Sequence, residues 1–205
     1  LENVTSSSLM TYTHYKKLGE VKSREKLDKI ILSNFRDLKE ILNYNIKNDV
    51  TFFRLTSRLI PLATHLETYV NANHYKDEFK EIGKIIKENK MRVDTHPDQF
   101  CVLNSNRDEV VENSINILKH HQEMFKYMNY NGKIILHVGS KAEGKRKGIK
   151  RFEDNFNKLN DDLKKMIILE NDDKVYNVEN TLKLCERLGI PMVLDYLHHL
   201  CNHSG

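Results

Sequence analysis

Met166-Ile167-Ile168-Leu169-Glu170 runs four apolar residues into a single carboxylate. It reads as a short strand that delivers an acid at its C-terminal end. The design recurs on both sides. Upstream, Lys133-Ile-Ile-Leu-His-Val138 carries His137 near its end, and Met91-Arg-Val-Asp-Thr-His96 stops on a histidine. Downstream, Pro191-Met-Val-Leu-Asp195 stops on an aspartate, with His198 and His199 three and four residues on. The first of the set, Val50-Thr-Phe-Phe-Arg-Leu-Thr-Ser57, leads into Leu-Ile-Pro-Leu-Ala-Thr-His65.

Amphipathic segments separate these strands. Ser23 is placed to cap a helix through about Asn48, with Leu27, Ile30, Ile31, Phe35, Leu38, Ile41, Leu42 and Ile46 on one face. Further helices are expected from about His74 to Lys90, Asn106 to Tyr130, Gly148 to Lys164, and Val178 to Leu188, where Gly189 and Pro191 supply the stop. Five near-continuous apolar strands alternating with five helices predict a parallel sheet covered on both faces. A doubly wound sheet and a TIM barrel both fit. Neither a G-x-G-x-x-G loop nor a P-loop occurs, so nucleotide binding of those kinds is not indicated.

The 205 residues hold 33 basic and 29 acidic side chains, a net charge of +4, with 30% charged and 39% hydrophobic residues. That balance excludes wholesale disorder. With only 8 Gly and 3 Pro and no Pro/Gly/Ser-rich linker, a single continuous domain over 1–205 is expected. No stretch approaches the roughly 18 apolar residues of a membrane span, and the chain opens without a basic-then-apolar export signal. Cys101, Cys185 and Cys201 are odd in number and far apart, which suits a reducing cytoplasm rather than a disulfide framework. Cys101 and Cys185 read as packing residues.

Parallel strands aim their C-terminal ends at one face, so His65, His96, His137, Glu170, Asp195 and His198 are expected to converge. Imidazole and carboxylate donors without thiolate suit Mn²⁺, Fe²⁺ or Zn²⁺. Four histidines and two carboxylates exceed the needs of one tetrahedral ion, which points to a cluster bridged by Glu170. Clustered divalent metals are a device for phosphodiester hydrolysis. Any one histidine could instead be structural, and Glu170 or Asp195 could cap a following helix; five successive strands with the same ending are harder to explain in that way. His14, His74, His120 and His121 are assigned structural roles, and His199 and His203 are left open.

Two further features flank the expected mouth. After His96 comes Pro97-Asp98-Gln99-Phe100, in which an amide able to bond base edges precedes a ring able to stack on a base. Between Lys141 and Arg151 lie six basic residues and one acid, among them Lys145, Arg146 and Lys147. That segment reads as a solvated loop or as a set of phosphate contacts.

The motifs RLTSRLIPLATH, THPDQFCVLNS, ILHVGS, LENDDKVYNVENTL and GIPMVLDYLHH, in this order and spacing, resemble the UV-damage DNA endonuclease family. The resemblance implies a TIM-barrel-like α/β fold related to that of apurinic endonuclease IV. It implies nicking of DNA immediately 5′ to pyrimidine dimers and 6-4 photoproducts, with action at abasic sites as well. It implies a divalent metal cluster, manganese by the family's usual assignment, with Zn²⁺ or Mg²⁺ as alternatives. It makes His65, His96, His137, Glu170, Asp195 and His198 metal ligands, with Glu170, His137 and Asp195 central to catalysis. Gln99 and Phe100 match the family's lesion-probing pair, where many members carry tyrosine in place of Phe100. Independently of the resemblance, the basic stretch makes Lys141, Lys145, Arg146 and Lys147 candidate phosphate contacts. The implied partner is duplex DNA bearing UV lesions, met in the cytoplasm by a monomer that does not associate with membranes.

A closed barrel of eight strands takes about 250 residues, and family members carry a further strand before the first seen here and more after the last. The chain therefore reads as an incomplete barrel of about five strands, truncated at both ends and poorly active or inactive alone. A metal-dependent sugar isomerase or epimerase on the same barrel, and a non-catalytic DNA-binding module, are the alternative readings.

Overall fold

Leu27, Ile31, Phe35, Leu38 and Leu42 recur every three or four residues and are buried along one face of a 28-residue helix, Glu20–Lys47. The computed structural model describes residues 1–2, 4–65, 67–68 and 70–203. They form two units, one of Leu1–Thr95 with Glu123–Gly132, the other of His96–Gln122 with Lys133–Gly205.

In the first unit a short helix, α1 (Tyr12–Leu18), precedes the long one, α2 (Glu20–Lys47). Gly19, at φ 77°, ends the one and starts the other. Ser23 is thus not the cap expected from sequence. It lies one turn inside α2, where its hydroxyl donates back to the Gly19 carbonyl at 2.6 Å. Strand β1 (Phe52–Thr56) is followed by a 3-10 turn, Ala72–Tyr75, then α3 (Lys76–Glu88) and β2 (Arg92–His96). β1 and β2 are neighbours in the sheet, and the Thr95 hydroxyl donates to the Leu55 carbonyl at 3.3 Å. Phe35 of α2 meets Phe79 of α3 edge-to-face, with centroids 4.9 Å apart. Buried Asn34 holds the chain entering and leaving this core. Its amide nitrogen donates to the carbonyls of Ser8 and Leu59, and its oxygen accepts from the Ser8 N–H.

The second unit opens at His96, the last residue of β2, and holds most of α4 (Asp108–Tyr127). It continues through β3 (Ile134–His137), α5 (Lys145–Asn157), α6 (Asp161–Met166), β4 (Ile167–Glu170), α7 (Val178–Leu188), β5 (Met192–Val193) and α8 (Tyr196–Cys201). β3 and β4 pair in parallel, as do β4 and β5. β3 and β4 are buried at every apolar position.

The segment expected as one helix over 148–164 is two. Asn160 interrupts it by accepting from the Leu163 N–H at 2.8 Å and capping α6. The basic stretch expected as a loop is helical from Lys145 onward. α8 was not expected, and its cap is Asp195, whose side chain accepts from the His198 N–H.

Strands alternating with helices and pairing in parallel give the α/β architecture of an incomplete TIM-type barrel, with the five strands expected. Cys101 and Cys185 are buried, as packing residues should be, while Cys201 is exposed. No helix among the described residues is long and apolar enough to cross a membrane.

The α4 histidines have a consequence for acid stability. Burial pushes His121 down to about 3, aided by the neighbouring charges of His120 and His96, and pushes His120 down to about 4. Both stay neutral when folded, whereas an unfolded imidazole titrates near 6.5. Below that pH the unfolded chain binds more protons, so stability present above pH 6.5 is lost as the pH falls toward 4. Each group contributes up to about 1.4 kcal/mol per pH unit in that window. Urea unfolding of the native chain and of His121→Gln at pH 7 and pH 5 should show a shallower pH dependence in the variant.

Candidate metal centre

The register of β3 against β4 sets His137 directly beside Glu170. His96 ends β2, Asp195 follows β5, and His198 stands on the first turn of α8. All belong to the second unit. His96 Nε2 lies 3.0 Å and His137 Nε2 3.5 Å from the same carboxylate oxygen, Glu170 Oε2. The ring centroids of His96 and His137 are 5.0 Å apart, and those of His137 and His198 5.4 Å. Two overlapping groups, His96–His137–Glu170 and Glu170–Asp195–His198, each place their ligand atoms within 4.8 Å of one another. Glu170 is common to both and is 2% exposed.

The hydrogen bonds fix the polarity of the three rings. Nδ1 of His96 faces the Pro97 carbonyl at 2.8 Å, that of His137 the Glu170 carbonyl at 3.3 Å, and that of His198 the Asn171 carbonyl at 2.9 Å. A carbonyl only accepts, so each Nδ1 carries the hydrogen and each neutral ring keeps its lone pair on Nε2. Backbone carbonyls orient metal-binding histidines in this way.

Two of these lone pairs then point at a carboxylate oxygen, which has no hydrogen to offer when ionised. While the rings are neutral such an array is repulsive, and either a proton on an imidazole or a cation among the donors relieves it. Burial, and next the charge of His96, hold His137 below the ordinary imidazole value, against the opposing pull of Glu170 and Asp172. A neutral His137 is the form that ligates. The donor set therefore fits a divalent cation.

Asn171 supports the group and was not picked out from sequence. Fully buried, it donates to the Asp195 carbonyl and accepts from the Asp195 N–H, both at 2.9 Å, while its own carbonyl orients His198. Its only signal in the sequence was a polar residue directly after an apolar strand. Asp195 caps α8 through Oδ1, and its Oδ2 lies 3.8 Å from His198 Nδ1. The capping role and a place in the cluster coexist.

The remaining candidates lie as follows. His65 sits in the first unit, after β1, stacked on Tyr12 with centroids 3.8 Å apart; its Nδ1 accepts from the Glu67 N–H at 3.3 Å. It belongs to neither donor group. Gln99 and Phe100 are exposed, Phe100 by 67%, three and four residues beyond His96. Lys141 is exposed in the loop after β3, while Lys145, Arg146 and Lys147 occupy the exposed first turn of α5. That turn holds no acid, so three cations reinforce the positive end of the helix dipole. Lys145 reaches Asn180 at 3.1 Å, and Lys147 lies 3.9 Å from Glu143. His199 and His203 approach edge-on at 6.4 Å, and Nδ1 of His199 is buried without a partner among the described residues.

Histidines and carboxylates gathered at the C-terminal ends of parallel strands define the class: an α/β barrel-type protein with side-chain groups that could hold a divalent cation. The model of the UV-endonuclease UvdE family matches residues 1–205, and the chain belongs to that family. It is 35% identical to a UV DNA damage endonuclease of Bacillus cereus (strain B4264) over 207 residues, covering 98% of this chain and 65% of the relative. It is 36% identical to one of Halalkalibacterium halodurans over 210 residues, covering 100% and 65%. The chain thus spans about 65% of the length of these relatives. The crystal structure of SacUVDE superposes with a TM-score of 0.91 at 40% identity, over 99% of this chain and 68% of that one. A D-psicose 3-epimerase from Clostridium cellulolyticum H10 matches with a TM-score of 0.59 at 9% identity, over 82% and 61%, a likeness of fold alone.

Removing the shared carboxylate should cost more than the 10- to 100-fold typical of residues that only support a ligand. Calorimetric titration with Mn²⁺ at pH 7 is expected to show Glu170→Gln binding at least about 100-fold more weakly than the native chain. Native affinity should also fall as the pH is lowered, because protonated imidazoles cannot ligate.

Proposed function

We propose that this chain carries the catalytic metal centre of a DNA repair endonuclease that nicks the backbone 5′ to UV photoproducts, and also acts at abasic sites. One observation carries the reading: imidazoles with lone pairs on Nε2 converge on the buried carboxylate of Glu170, in a chain of the UV-endonuclease family. His96, His137, Glu170, Asp195 and His198 would hold the cations, and His65 is added on motif alone. Manganese is the proposed ion, since imidazole and carboxylate without thiolate suit it; zinc and magnesium are the alternatives. Bound there, divalent cations activate water and neutralise charge on the phosphate and its leaving oxygen.

The chain's own residues do the rest. Burial favours the neutral, ligating form of His137. Glu170 bridges the two donor groups and fixes their separation. Gln99 and Phe100 fill the space opened at a lesion, where stacking is already weakened and the cost of deforming the duplex is lower. Phe100 stacks on a base without the hydroxyl a tyrosine would add. Lys141, Lys145, Arg146 and Lys147 contact phosphates and make binding salt-dependent. The partner is lesion-bearing duplex DNA, met by a monomer in the cytoplasm.

Supercoiled plasmid, irradiated or intact, tests this. With Mn²⁺ the chain should nick irradiated plasmid only, more slowly than the longer Bacillus cereus relative, and lose this activity with a chelator or in Glu170→Gln. Nicking that survives chelation, or that treats intact plasmid equally, overturns the reading; a sugar epimerase would leave both plasmids untouched. Phe100→Ala should lower the preference for irradiated DNA about tenfold, matching the roughly 1–3 kcal/mol of one base–aromatic stack, while Mn²⁺ affinity stays unchanged.

A further inference from the structure

Gln99 and Phe100 stand in solvent, yet the backbone one residue further on is locked. Cys101 and Leu103 are buried, at 7% and 1% exposure, and Asn104 is fully buried. The Val102 N–H donates to the hydroxyl of buried Ser114 on α4 at 2.8 Å. At its other end the loop begins on His96, whose Nδ1–H bonds the Pro97 carbonyl. The exposed pair is thus carried on a short bridge tethered at both ends.

The stronger tether is Asn104. Its Oδ1 accepts from the Ser140 N–H at 2.7 Å, and its Nδ2 donates to the Ser140 carbonyl at 2.7 Å and to the Tyr176 hydroxyl at 3.2 Å. The side-chain amide thereby pairs with a backbone unit in both directions, as a neighbouring strand would. Its own carbonyl accepts from Arg151 Nε at 2.8 Å.

This contact needs Gly139. Its φ is +108°, and a Cβ there would stand 2.6 Å from Asn104 Oδ1 and 2.8 Å from a methyl of Val102. Gly139 lies two residues after His137. The loop that bears the exposed aromatic is therefore keyed to the loop that leaves a metal-ligand strand.

We propose that Asn104 is a positioning residue that presents Phe100 ready-placed relative to the metal centre. The proposal rests on the lesion-probing reading of Gln99 and Phe100. Ordering a side chain and its loop only at the moment of binding weakens affinity, and a clamp set in advance avoids that loss. Tyr176 assists through its hydroxyl, which also donates to the Ser140 carbonyl at 2.9 Å.

The chain contains no tryptophan, so Phe100→Trp introduces a single reporter at the loop tip. Its fluorescence anisotropy should be high in the otherwise native chain. It should fall clearly when Asn104→Ala is added, and fall less with Tyr176→Phe, which leaves both Asn104–Ser140 bonds intact. Mn²⁺ affinity should stay within about twofold throughout, because no ligand is touched. With Phe100 in place, Asn104→Ala should lower the affinity ratio for irradiated over intact duplex about tenfold.

Unchanged anisotropy in the Asn104→Ala background overturns the clamp. So does a fall in Mn²⁺ affinity parallel to the fall in anisotropy, which would mark Asn104 as a general structural residue. A native chain without any preference for irradiated duplex would instead refute the lesion-probing reading, while the anisotropy result still decides the clamp.

Discussion

A carboxylate that is 2% exposed, with two imidazole nitrogens within 3.5 Å of one oxygen, is the constraint on which the site depends. Burying an isolated ionised acid is costly, and the cost is met only if positive charge and hydrogen-bond donors surround it. The sheet register supplies the neighbours: His137 faces Glu170 across β3 and β4. A slip of one residue would turn Glu170 to the other face and replace it with Leu169. The apolar residues of β3 and β4 therefore do more than fill a core. They hold the register that sets His137 beside the carboxylate, and a bound cation would supply the compensating charge.

Each unit uses buried asparagine to tie its segments together. Asn34 ties Ser8 to Leu59, Asn104 joins the loops after β2 and β3, Asn155 donates to the Leu103 carbonyl, and Asn171 brackets Asp195. An amide offers donors and an acceptor together, so it can pair with a peptide unit in both directions. It does so without the desolvation cost of a charge. In the second unit, loops beside the candidate ligands are thereby fastened without added charge.

The strands and the long helices were legible in the sequence because unbroken apolar runs and three-to-four-residue stripes record burial directly. The cluster was legible because parallel strands share a direction, so polar residues at their ends meet. What escaped was short or long-range. α1 and α8 span 7 and 6 residues, too few for a periodic stripe, and were betrayed only by the caps Thr11 and Asp195. The basic stretch looked like a loop because its apolar positions, Ile149 and Phe152, are sparse among cations. Asn104 and Asn171 look like any polar residue after a strand. Their partners, Ser140 and Asp195, lie 36 and 24 residues away. The indirect trace of the first was Gly139, whose missing side chain makes the approach possible.

The shared fold with a D-psicose 3-epimerase at 9% identity locates the difference between such proteins. A barrel of parallel strands brings donors to one end whatever the substrate, so the scaffold alone does not select a chemistry. Selection falls to the loops. Here the loop after β2 presents an aromatic ring that is 67% exposed, only four residues from a candidate ligand. A pocket built to enclose a small sugar would gain from covering such a ring. A surface that meets a polymer gains from leaving it outside, held firmly enough that it need not be ordered on contact. An exposed ring above buried, hydrogen-bonded residues suits the proposed nuclease reading of this loop better than the epimerase one.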